Sequence, residues 1–271
     1  MMKRLITIIL CLVLAGIVRA QCVAENTAFM SGEDLNYQLY FNWKFIWLKA
    51  GTANFNITET TFEGQPAYRC HLITRGSKRA DKFFVMRDTL LCYVNRQLQP
   101  LYFRKGALEG KHYTVDEVWY SYSDDGTINL RQRFRNRHGE VKEQTYSTRE
   151  CVYDMASMLL RARSFDPTQF TEGQHLKFLM AEGDEVETST LVYRGKKNFK
   201  MSNTGVTYRC LVFSFVEYEG KKEREVVTFY ITDDLNHAPV RLDLFLRFGT
   251  AKAFLRESRN LRIPQTSIVS E

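Results

Sequence analysis

An alternating row of arginines is the feature of this sequence with the clearest chemical potential. On a β-strand, residues spaced by two project from the same face, so these guanidinium groups would stand side by side. Such a row repels itself unless anions or carboxylates lie opposite. We predict either a ribbon that binds phosphorylated lipid headgroups or another envelope polyanion, or a solvated face paired with acids such as Glu143 across a hairpin. The row consists of Arg131, Arg133, Arg135 and Arg137.

Alternating aromatic residues form a second candidate binding feature. Indole and phenol faces suit both acyl chains and sugar rings, so these residues are candidate ligand contacts. The alternative is that they fill the interior, since large aromatics give a wide β-structure its native packing density. One or more indoles facing an open cavity would favour the ligand. The set consists of Tyr37, Phe41, Trp43 and Trp47.

Catalytic chemistry has little support in the sequence. No GxSxG, HExxH, SxxK or phosphate-cradling glycine motif occurs, and the five histidines are scattered singly. The cysteines lack the CxxC or paired Cys/His spacing that zinc requires. We therefore predict no catalytic residue, no metal and no cofactor, and a non-enzymatic protein is favoured over an enzyme.

The N-terminus has the pattern of an export signal. Lys3 and Arg4 precede an apolar run from Leu5 to Val18, and Val18-Arg19-Ala20 fits a small-residue cleavage site. The run is shorter than the roughly 20 residues that a transmembrane helix needs, so no membrane span is predicted. We predict a signal peptide over residues 1–20 and a periplasmic or outer-envelope location. Lipidation at Cys22 is a less favoured alternative, because cleavage at Ala20 leaves Gln21 ahead of that cysteine.

Charge and cysteine content limit the partners further. The chain has 38 basic and 31 acidic side chains and a formal charge of +7, which falls to +4 without Lys3, Arg4 and Arg19. This mild excess predicts solubility and no nucleic-acid partner. An odd number of cysteines follows the signal peptide, so at least one thiol stays unpaired in a monomer, and the pairing is open. These cysteines are Cys22, Cys70, Cys92, Cys151 and Cys210.

The elements that must position these residues follow an internally repeated plan. Tyr68-Arg69-Cys70 recurs as Tyr208-Arg209-Cys210, and the segment that begins at Gly32 recurs at Gly173. We predict one exported β domain over 21–271, built from pseudo-repeats at 32–150 and 173–271. Cys70 and Cys210 occupy matching positions, where small apolar core residues are the favoured interpretation.

Hydrophobic residues alternate with a period of two through most of the chain, as from Tyr37 to Trp47, which predicts one strand there. Gly and Asp turns separate such segments and indicate hairpins. Only Val152 to Arg163 has helical spacing, with Asp154 as N-cap. We predict an all-β antiparallel meander with one short connecting helix at about 152–163, forming a curled or closed barrel-like structure.

Short motifs carry a family resemblance over roughly residues 30 to 260. They are the Gly32 to Tyr37 opening, Ala50-Gly51-Thr52-Ala53, the Tyr153 to Ser157 helix start and the strand after Gly173. Together they resemble an exported bacterial domain family of unknown function with a YmcC-like β fold. The resemblance implies the fold and supplies no site residues. Phe41 to Leu48 departs from that pattern, because a shorter, Gly-containing turn is expected before Ala50.

Two functional hypotheses follow. The first is a non-enzymatic cell-envelope protein that holds an apolar or amphipathic, lipid-like or glycan ligand in or between its two halves. It predicts a sizeable apolar pocket with arginines at the rim. The second is a structural or protein-interaction module of the envelope, with a solid core and an exposed apolar patch for a protein partner. A hydrolase is a distant third, since it needs paired carboxylates or a Cys/His pair within hydrogen-bond reach.

Overall fold

The computed structural model describes residues 22–43, 46–82, 85–246 and 249–270. The predicted signal peptide at 1–20 lies outside these residues. Within them the chain forms sixteen β-strands and one α-helix, α1 (Met155–Arg163). The strands are β1 (Asp34–Trp43), β2 (Ile46–Phe62), β3 (Gln65–Gly76), β4 (Met86–Asn95), β5 (Pro100–Glu109), β6 (His112–Tyr122), β7 (Ile128–Arg135), β8 (Val141–Thr148), β9 (Val152–Tyr153), β10 (His175–Glu182), β11 (Glu185–Lys200), β12 (Thr207–Glu219), β13 (Lys222–Thr232), β14 (Pro239–Leu246), β15 (Gly249–Arg259) and β16 (Ile268–Ser270).

The strands form one curled sheet with two open edges. Hydrogen bonds join them in the order β8-β7-β6-β5-β4-β3-β2-β1-β15-β14-β13-β12-β11-β10-β9, with β16 added beside β12. The first half of the sheet is β1–β8 and the second half is β9–β16. Consecutive strands of the ordered path pair as antiparallel hairpins in each half, except that the short β9 pairs in parallel with β10, and the β1–β15 pair joins the halves. The prediction of an all-β antiparallel meander with one helix is confirmed, and the sheet curls without closing.

The segment from Tyr37 to Trp47 differs from the predicted single strand. β1 ends at Trp43 and β2 begins at Ile46, and the register pairs Asn42 with Trp47. The single-strand prediction was wrong because the apolar alternation runs on through the connection between the two strands. That connection contains no Gly, Asn or Asp to indicate a reversal.

The main core fills the concave face of the first half of the sheet and extends to residues of the second half such as Cys210 and Val240. Ile57, Cys92, Phe103 and Val118 on neighbouring strands are all at most 1% exposed. Helix α1 packs against this core through Leu160. Through Met158 the helix also contacts a second cluster on the other half of the sheet. The helix is therefore a wedge between the halves.

Helix α1 has the predicted N-cap, Asp154, but its first residue is Met155, three residues after the predicted start at 152. Asp154 is the N-cap, with its side chain accepting hydrogen bonds from the backbone of Ala156 and Ser157. Val152 and Tyr153 instead form β9 and pair with β10. The capping residue determines where the helix begins, because its side chain satisfies the first free backbone N–H groups.

The tip of the β10–β11 hairpin lies against the first half of the sheet. The backbone N–H of Gly183 donates to Asp116 Oδ2 at 2.8 Å, and Gln132 Nε2 donates to the carbonyl of Glu185 at 2.9 Å. Asp116 and Gln132 are buried on the face opposite the arginines. Helix α1 and this hairpin tip therefore occupy space between the halves where the first hypothesis places a ligand.

One disulfide fastens the N-terminal segment to the residue before β9. It joins Cys22 and Cys151, whose Cα atoms are 5.2 Å apart. A sulfur held in a disulfide is unavailable for a lipid thioether, so this pairing opposes lipidation at Cys22. Cys70 lies opposite Cys92 on β3 and β4, and Cys210 is a separate buried thiol, so matching positions in the two halves do not bring Cys70 and Cys210 together as a disulfide.

Candidate functional site

A row of aromatic residues crosses the outer face of the first half of the sheet. The register places Tyr93 opposite Tyr102, Tyr102 opposite Trp119 and Trp119 opposite Arg131. Directly paired residues point to the same side of a sheet, so the four side chains form one continuous line. We call this line, which runs over β4 to β7, the aromatic–arginine strip.

The rings in the strip contact each other closely. Ring centroids are 6.3 Å apart between Tyr93 and Tyr102 and 5.3 Å apart between Tyr102 and Trp119. Phe62 extends the line at a centroid distance of 4.8 Å from Tyr93. The guanidinium carbon of Arg131 lies 3.8 Å above the Trp119 ring, a cation–π contact. The aromatic rings are half-buried and keep part of their surface open to solvent.

A shallow groove of about 300 Å³ lies beside the strip. Two residues further along each strand, Arg104, Glu117 and Arg133 are paired across β5, β6 and β7. Repeating the step brings Val115 opposite Arg135. We call this surface the arginine groove; it is lined by Arg104, Tyr113, Val115, Glu117, Arg133 and Arg135.

Glu117 is the main acidic group of the groove. Its carboxylate lies 3.8 Å from Arg104 Nε and 3.3 Å from Arg133 Nη1. It also accepts a hydrogen bond from the Tyr102 hydroxyl at 2.7 Å. Burial and this hydrogen bond raise the pKa of Tyr102, so the phenol stays protonated. Glu117 therefore connects the groove to the aromatic strip.

The strip and the groove together retain positive charge that the neighbouring acids do not neutralise. Arg133 pairs with Glu143 at 3.5 Å as well as with Glu117. Within the part of the chain that the structure describes, neither Arg131 nor Arg135 has a carboxylate oxygen within 4.0 Å. An anion bound at Arg131 or Arg135 would therefore meet a guanidinium group without displacing a carboxylate, whereas Arg104 and Arg133 are already paired.

The predicted arginine row is partly assembled on one strand. Arg131, Arg133 and Arg135 share the outer face of β7. Arg137 follows the end of β7 and lies in the turn, where its Nε atom is 3.2 Å from His138 Nε2. The placement of Arg137 on the same strand was therefore wrong, because the hairpin reverses before it.

The predicted aromatic wall is not assembled as one surface. Tyr37 is buried and donates its hydroxyl proton to the Pro239 carbonyl at 2.8 Å, and burial raises its pKa. Trp47 is 50% exposed at the end of the sheet, while Phe41 is half-buried. The side chain of Trp43 lies outside the described residues. These residues were grouped by their alternation, and the hairpin between β1 and β2 divides them.

Sequence reasoning missed the aromatic members of the strip. Tyr93, Tyr102 and Trp119 alternate with the core residues Cys92, Phe103 and Val118, which assigns each aromatic residue to the outer face. That signal was present in each strand separately. Their alignment in one line depends on the register between strands, which alternation does not specify.

A second groove, of about 450 Å³, crosses β1, β2 and β15. Most of its lining side chains are polar or charged, and Asn54 Nδ2 donates to Asn36 Oδ1 at 3.0 Å within it. It is lined by Asn36, Tyr37, Thr52, Ala53, Asn54, Ile73, Arg75, Arg256 and Glu257. Neither groove is the enclosed apolar pocket that a buried lipid chain requires.

The buried carboxyl groups have structural partners. Asp154 caps α1 and accepts a hydrogen bond from Tyr120, and burial raises the pKa of Asp154 to about 6. Among the described residues, no three His, Cys, Asp or Glu side chains are grouped to hold a metal ion. Within the same residues, no helix has the length and apolar composition needed to cross a bilayer.

Comparison with solved structures supports the fold. A Brucella abortus protein, described as a beta-barrel-like protein of the domain of unknown function DUF1849, has a TM-score of 0.53 and 9% identity, covering 86% of this chain and 99% of that chain. A Bacteroides fragilis protein, described as a candidate exported protein with a YmcC-like fold, has a TM-score of 0.31 and 7% identity, covering 87% and 99%. At such identities, the Brucella match shows a common fold alone.

Sequence comparison identifies the family. Among curated proteins, none matches the chain significantly. Residues 36–256 match the family described as "Protein of unknown function (DUF3108)". The match covers most of the chain and includes the strip, the groove and the helix. It confirms the predicted relation to a family of unknown function. The chain belongs to the DUF3108 family.

Proposed function

We propose that the protein is an exported, non-enzymatic component of the cell envelope that binds an anionic, amphipathic ligand on the outer face of its sheet. The observation that carries this proposal is the position of Arg131 and Arg135. Both lack an acidic partner among the described residues. Arg131 stacks on Trp119 in the strip, and Arg135 lines the groove four residues further along β7. The aromatic–arginine strip and the arginine groove form one binding surface.

The chemistry of this surface favours sugar rings that carry phosphate groups, as in the headgroup of a phosphorylated glycolipid. Aromatic faces pack against the C–H faces of a sugar, and guanidinium groups form paired hydrogen bonds with phosphate oxygens. The strip and the first row of the groove are two residues apart along each strand, about 7 Å. A single headgroup is large enough to contact both.

An outer-face site fits the packing better than an interior one. Helix α1 and the β10–β11 hairpin tip lie between the halves of the sheet, and both grooves described above are open and lined mainly by polar side chains. The proposed ligand therefore binds on the convex face of the sheet and not in its interior. A headgroup would be held while an attached acyl chain remained outside.

Two observations support export. The N-terminal sequence has the pattern of a signal peptide. The disulfide between Cys22 and Cys151 is typical of an oxidising compartment such as the periplasm.

Calorimetric titration of the mature protein with a phosphorylated glucosamine disaccharide and with its unphosphorylated parent tests the proposal. We expect the phosphorylated sugar to bind at least tenfold more tightly, because charge-assisted hydrogen bonds contribute about 1.5–3 kcal/mol each. The variant R131Q/R135Q should lose that preference. Trp119→Leu should weaken the binding of both sugars. The matched control is Arg256→Gln, an exposed arginine of the second groove, which should bind like the wild type.

Equal affinity of the wild type and R131Q/R135Q for the phosphorylated sugar would contradict the assigned site. Failure of both sugars to bind the folded wild type would contradict the ligand hypothesis and favour the protein-interaction module.

A further inference from the structure

One end of the sheet exposes large apolar side chains on adjacent hairpins. The β14–β15 and β1–β2 hairpins lie side by side there, because β1 pairs with β15. Phe245 on β14 pairs with Thr250 on β15, Thr250 pairs with Asn42 on β1, and Asn42 pairs with Trp47 on β2. Phe245 and Trp47 therefore belong to one row on one face, and Leu246 is the last residue of β14.

These apolar residues are unusually accessible. Trp47 is 50% exposed, Leu246 43% and Phe245 38%. Single exposed apolar residues are common on proteins, whereas a cluster of large ones at adjacent hairpin ends indicates an interaction surface. We call this cluster the apolar tip.

Basic side chains lie beside the apolar tip on β15 and β2. Lys252 Nζ lies 5.0 Å from the centroid of the Trp47 ring, and Lys49 is exposed on the strand that carries Trp47. Lys252 is also 3.7 Å from Asp243, a carboxylate that is buried and already paired with Arg241. Lys252 is therefore partly buried and partly neutralised, whereas Lys49 is exposed to solvent.

The neighbouring β3–β4 connection adds further positive charge. Its Ser77 N–H donates to the Ala50 carbonyl at 2.7 Å, which holds the connection beside the start of β2. Its one acidic residue, Asp81, is paired with Arg87 at the start of β4. The connection carries three basic residues, Lys78, Arg79 and Lys82, which are open to solvent.

We propose that this end of the sheet docks onto a membrane surface that contains anionic lipids. Trp, Phe and Leu side chains would enter the interfacial layer, where aromatic rings are favoured, while the basic residues would meet the lipid headgroups. Apolar residues near the ends of these strands, flanked by cations on one side, complement a negatively charged lipid layer in both respects. The connecting residues Lys44-Phe45 and Arg247-Phe248 lie outside the described residues, and the surface is defined without them.

Co-sedimentation of the mature protein with lipid vesicles tests the proposal. We expect binding to phosphatidylcholine vesicles that contain phosphatidylglycerol, and at least tenfold weaker binding to phosphatidylcholine alone. Added salt should reduce binding, since exposed charges are screened. The variants W47S/F245S/L246S and K78Q/R79Q/K82Q should each bind the anionic vesicles at least tenfold more weakly. The second variant changes only solvent-facing charged side chains, so it provides the test if the first fails to fold.

The matched control is L235S/V269S, because Leu235 and Val269 are 65% and 52% exposed at the opposite end of the sheet. It should bind vesicles like the wild type. Absence of wild-type binding to anionic vesicles, or wild-type affinity in the folded K78Q/R79Q/K82Q variant, would overturn the proposal. R131Q/R135Q should keep vesicle binding while losing the sugar phosphate, so the membrane and ligand proposals can fail separately.

Discussion

At the scale of single residues, buried charged side chains connect parts of the chain that are distant in sequence. Glu33 and Arg163 are 0% and 1% exposed, and Arg163 Nη2 donates to Glu33 Oε2 at 2.9 Å. The same nitrogen donates to the Asn236 carbonyl at 2.9 Å. Removing either partner of such a pair leaves an unsolvated charge. The end of α1 is therefore held to both halves of the sheet.

Asp116 gives a pH-dependent prediction. Burial raises its pKa to about 6, and the hydrogen bond from Gly183 opposes that shift without cancelling it. The unfolded chain ionises first as pH rises, so this residue's stabilising effect is complete below about pH 4 and is lost towards pH 6. The loss should be on the order of 2–3 kcal/mol. Asp116→Asn should remove this component from the free energy of unfolding measured against pH.

The side-chain amide oxygen that Asp116→Asn introduces can still accept the Gly183 hydrogen bond, so the variant should remain folded. Asp124→Asn, in an exposed turn, is the control and should keep the wild-type profile. If the free-energy difference between wild type and Asp116→Asn stays constant from about pH 4 to pH 7, the assignment to Asp116 is incorrect.

Only part of the candidate site could be predicted from the spacing of residues in the sequence. The spacing of Arg131, Arg133 and Arg135 was enough to place them on one face. Trp119 and Tyr102 are single residues in separate strands, and no spacing within the sequence links them. Their contact exists only because β5 and β6 pair in one particular register. Arg137 was placed incorrectly because the alternation of arginines in the sequence continues after β7 ends at Arg135.

At the scale of elements, the α1 cap gives the second prediction. Asp154 Oδ1 accepts from Ala156 and Ser157, while Oδ2 accepts from the Tyr120 hydroxyl. Asp154→Ala removes the cap and leaves buried donors unsatisfied, which should lower the free energy of unfolding by about 2–4 kcal/mol. Asp154→Asn should cost less, because its amide oxygen still caps the helix. Urea denaturation measures both changes.

Asp166 provides a matched comparison. It caps the short 3₁₀ turn Pro167–Gln169, where all its bonds are exposed. Asp166→Ala should therefore cost less than about 1 kcal/mol. A cost for Asp154→Ala as small as that for Asp166→Ala would show that burial adds nothing to the cap.

The duplication remains a prediction, although the elements support it. Gly32 donates to the Ile57 carbonyl, and Ile57 donates back to Glu33. In the second half, the N–H of Gly173 likewise donates to the Tyr193 carbonyl, and the N–H of Tyr193 donates back to the Gln174 carbonyl. Both glycines have positive φ, at 89° and 85°. Each repeat therefore begins with a glycine turn bonded to its long second strand, β2 or β11.

At the scale of the whole molecule, the disulfide gives the third prediction. Cys22 and Cys151 are 129 residues apart, so their link closes a long loop and restricts the unfolded chain. The variant C22S/C151S should retain its β circular dichroism spectrum and lose about 2–5 kcal/mol of unfolding free energy. Guanidinium denaturation under oxidising conditions measures the loss.

Cys210→Ala is the control, since it removes a buried thiol without removing a cross-link. It should cost about 1 kcal/mol through the small cavity that it creates. Reducing agent should destabilise the wild type and Cys210→Ala alike and leave C22S/C151S unchanged. A response of C22S/C151S to reducing agent would show that another disulfide forms.

The sequence by itself determined the β class, the single helix with its Asp154 cap, the antiparallel hairpins and the face occupied by most strand residues. These features depend on neighbours a few residues apart, through alternation, turn chemistry and capping. The tertiary structure alone decided the Cys22–Cys151 pairing, the line of aromatic rings beside Arg131 and the apolar tip. Those features join residues separated by many strands, and a period of two specifies a face without specifying the neighbouring strand or its register.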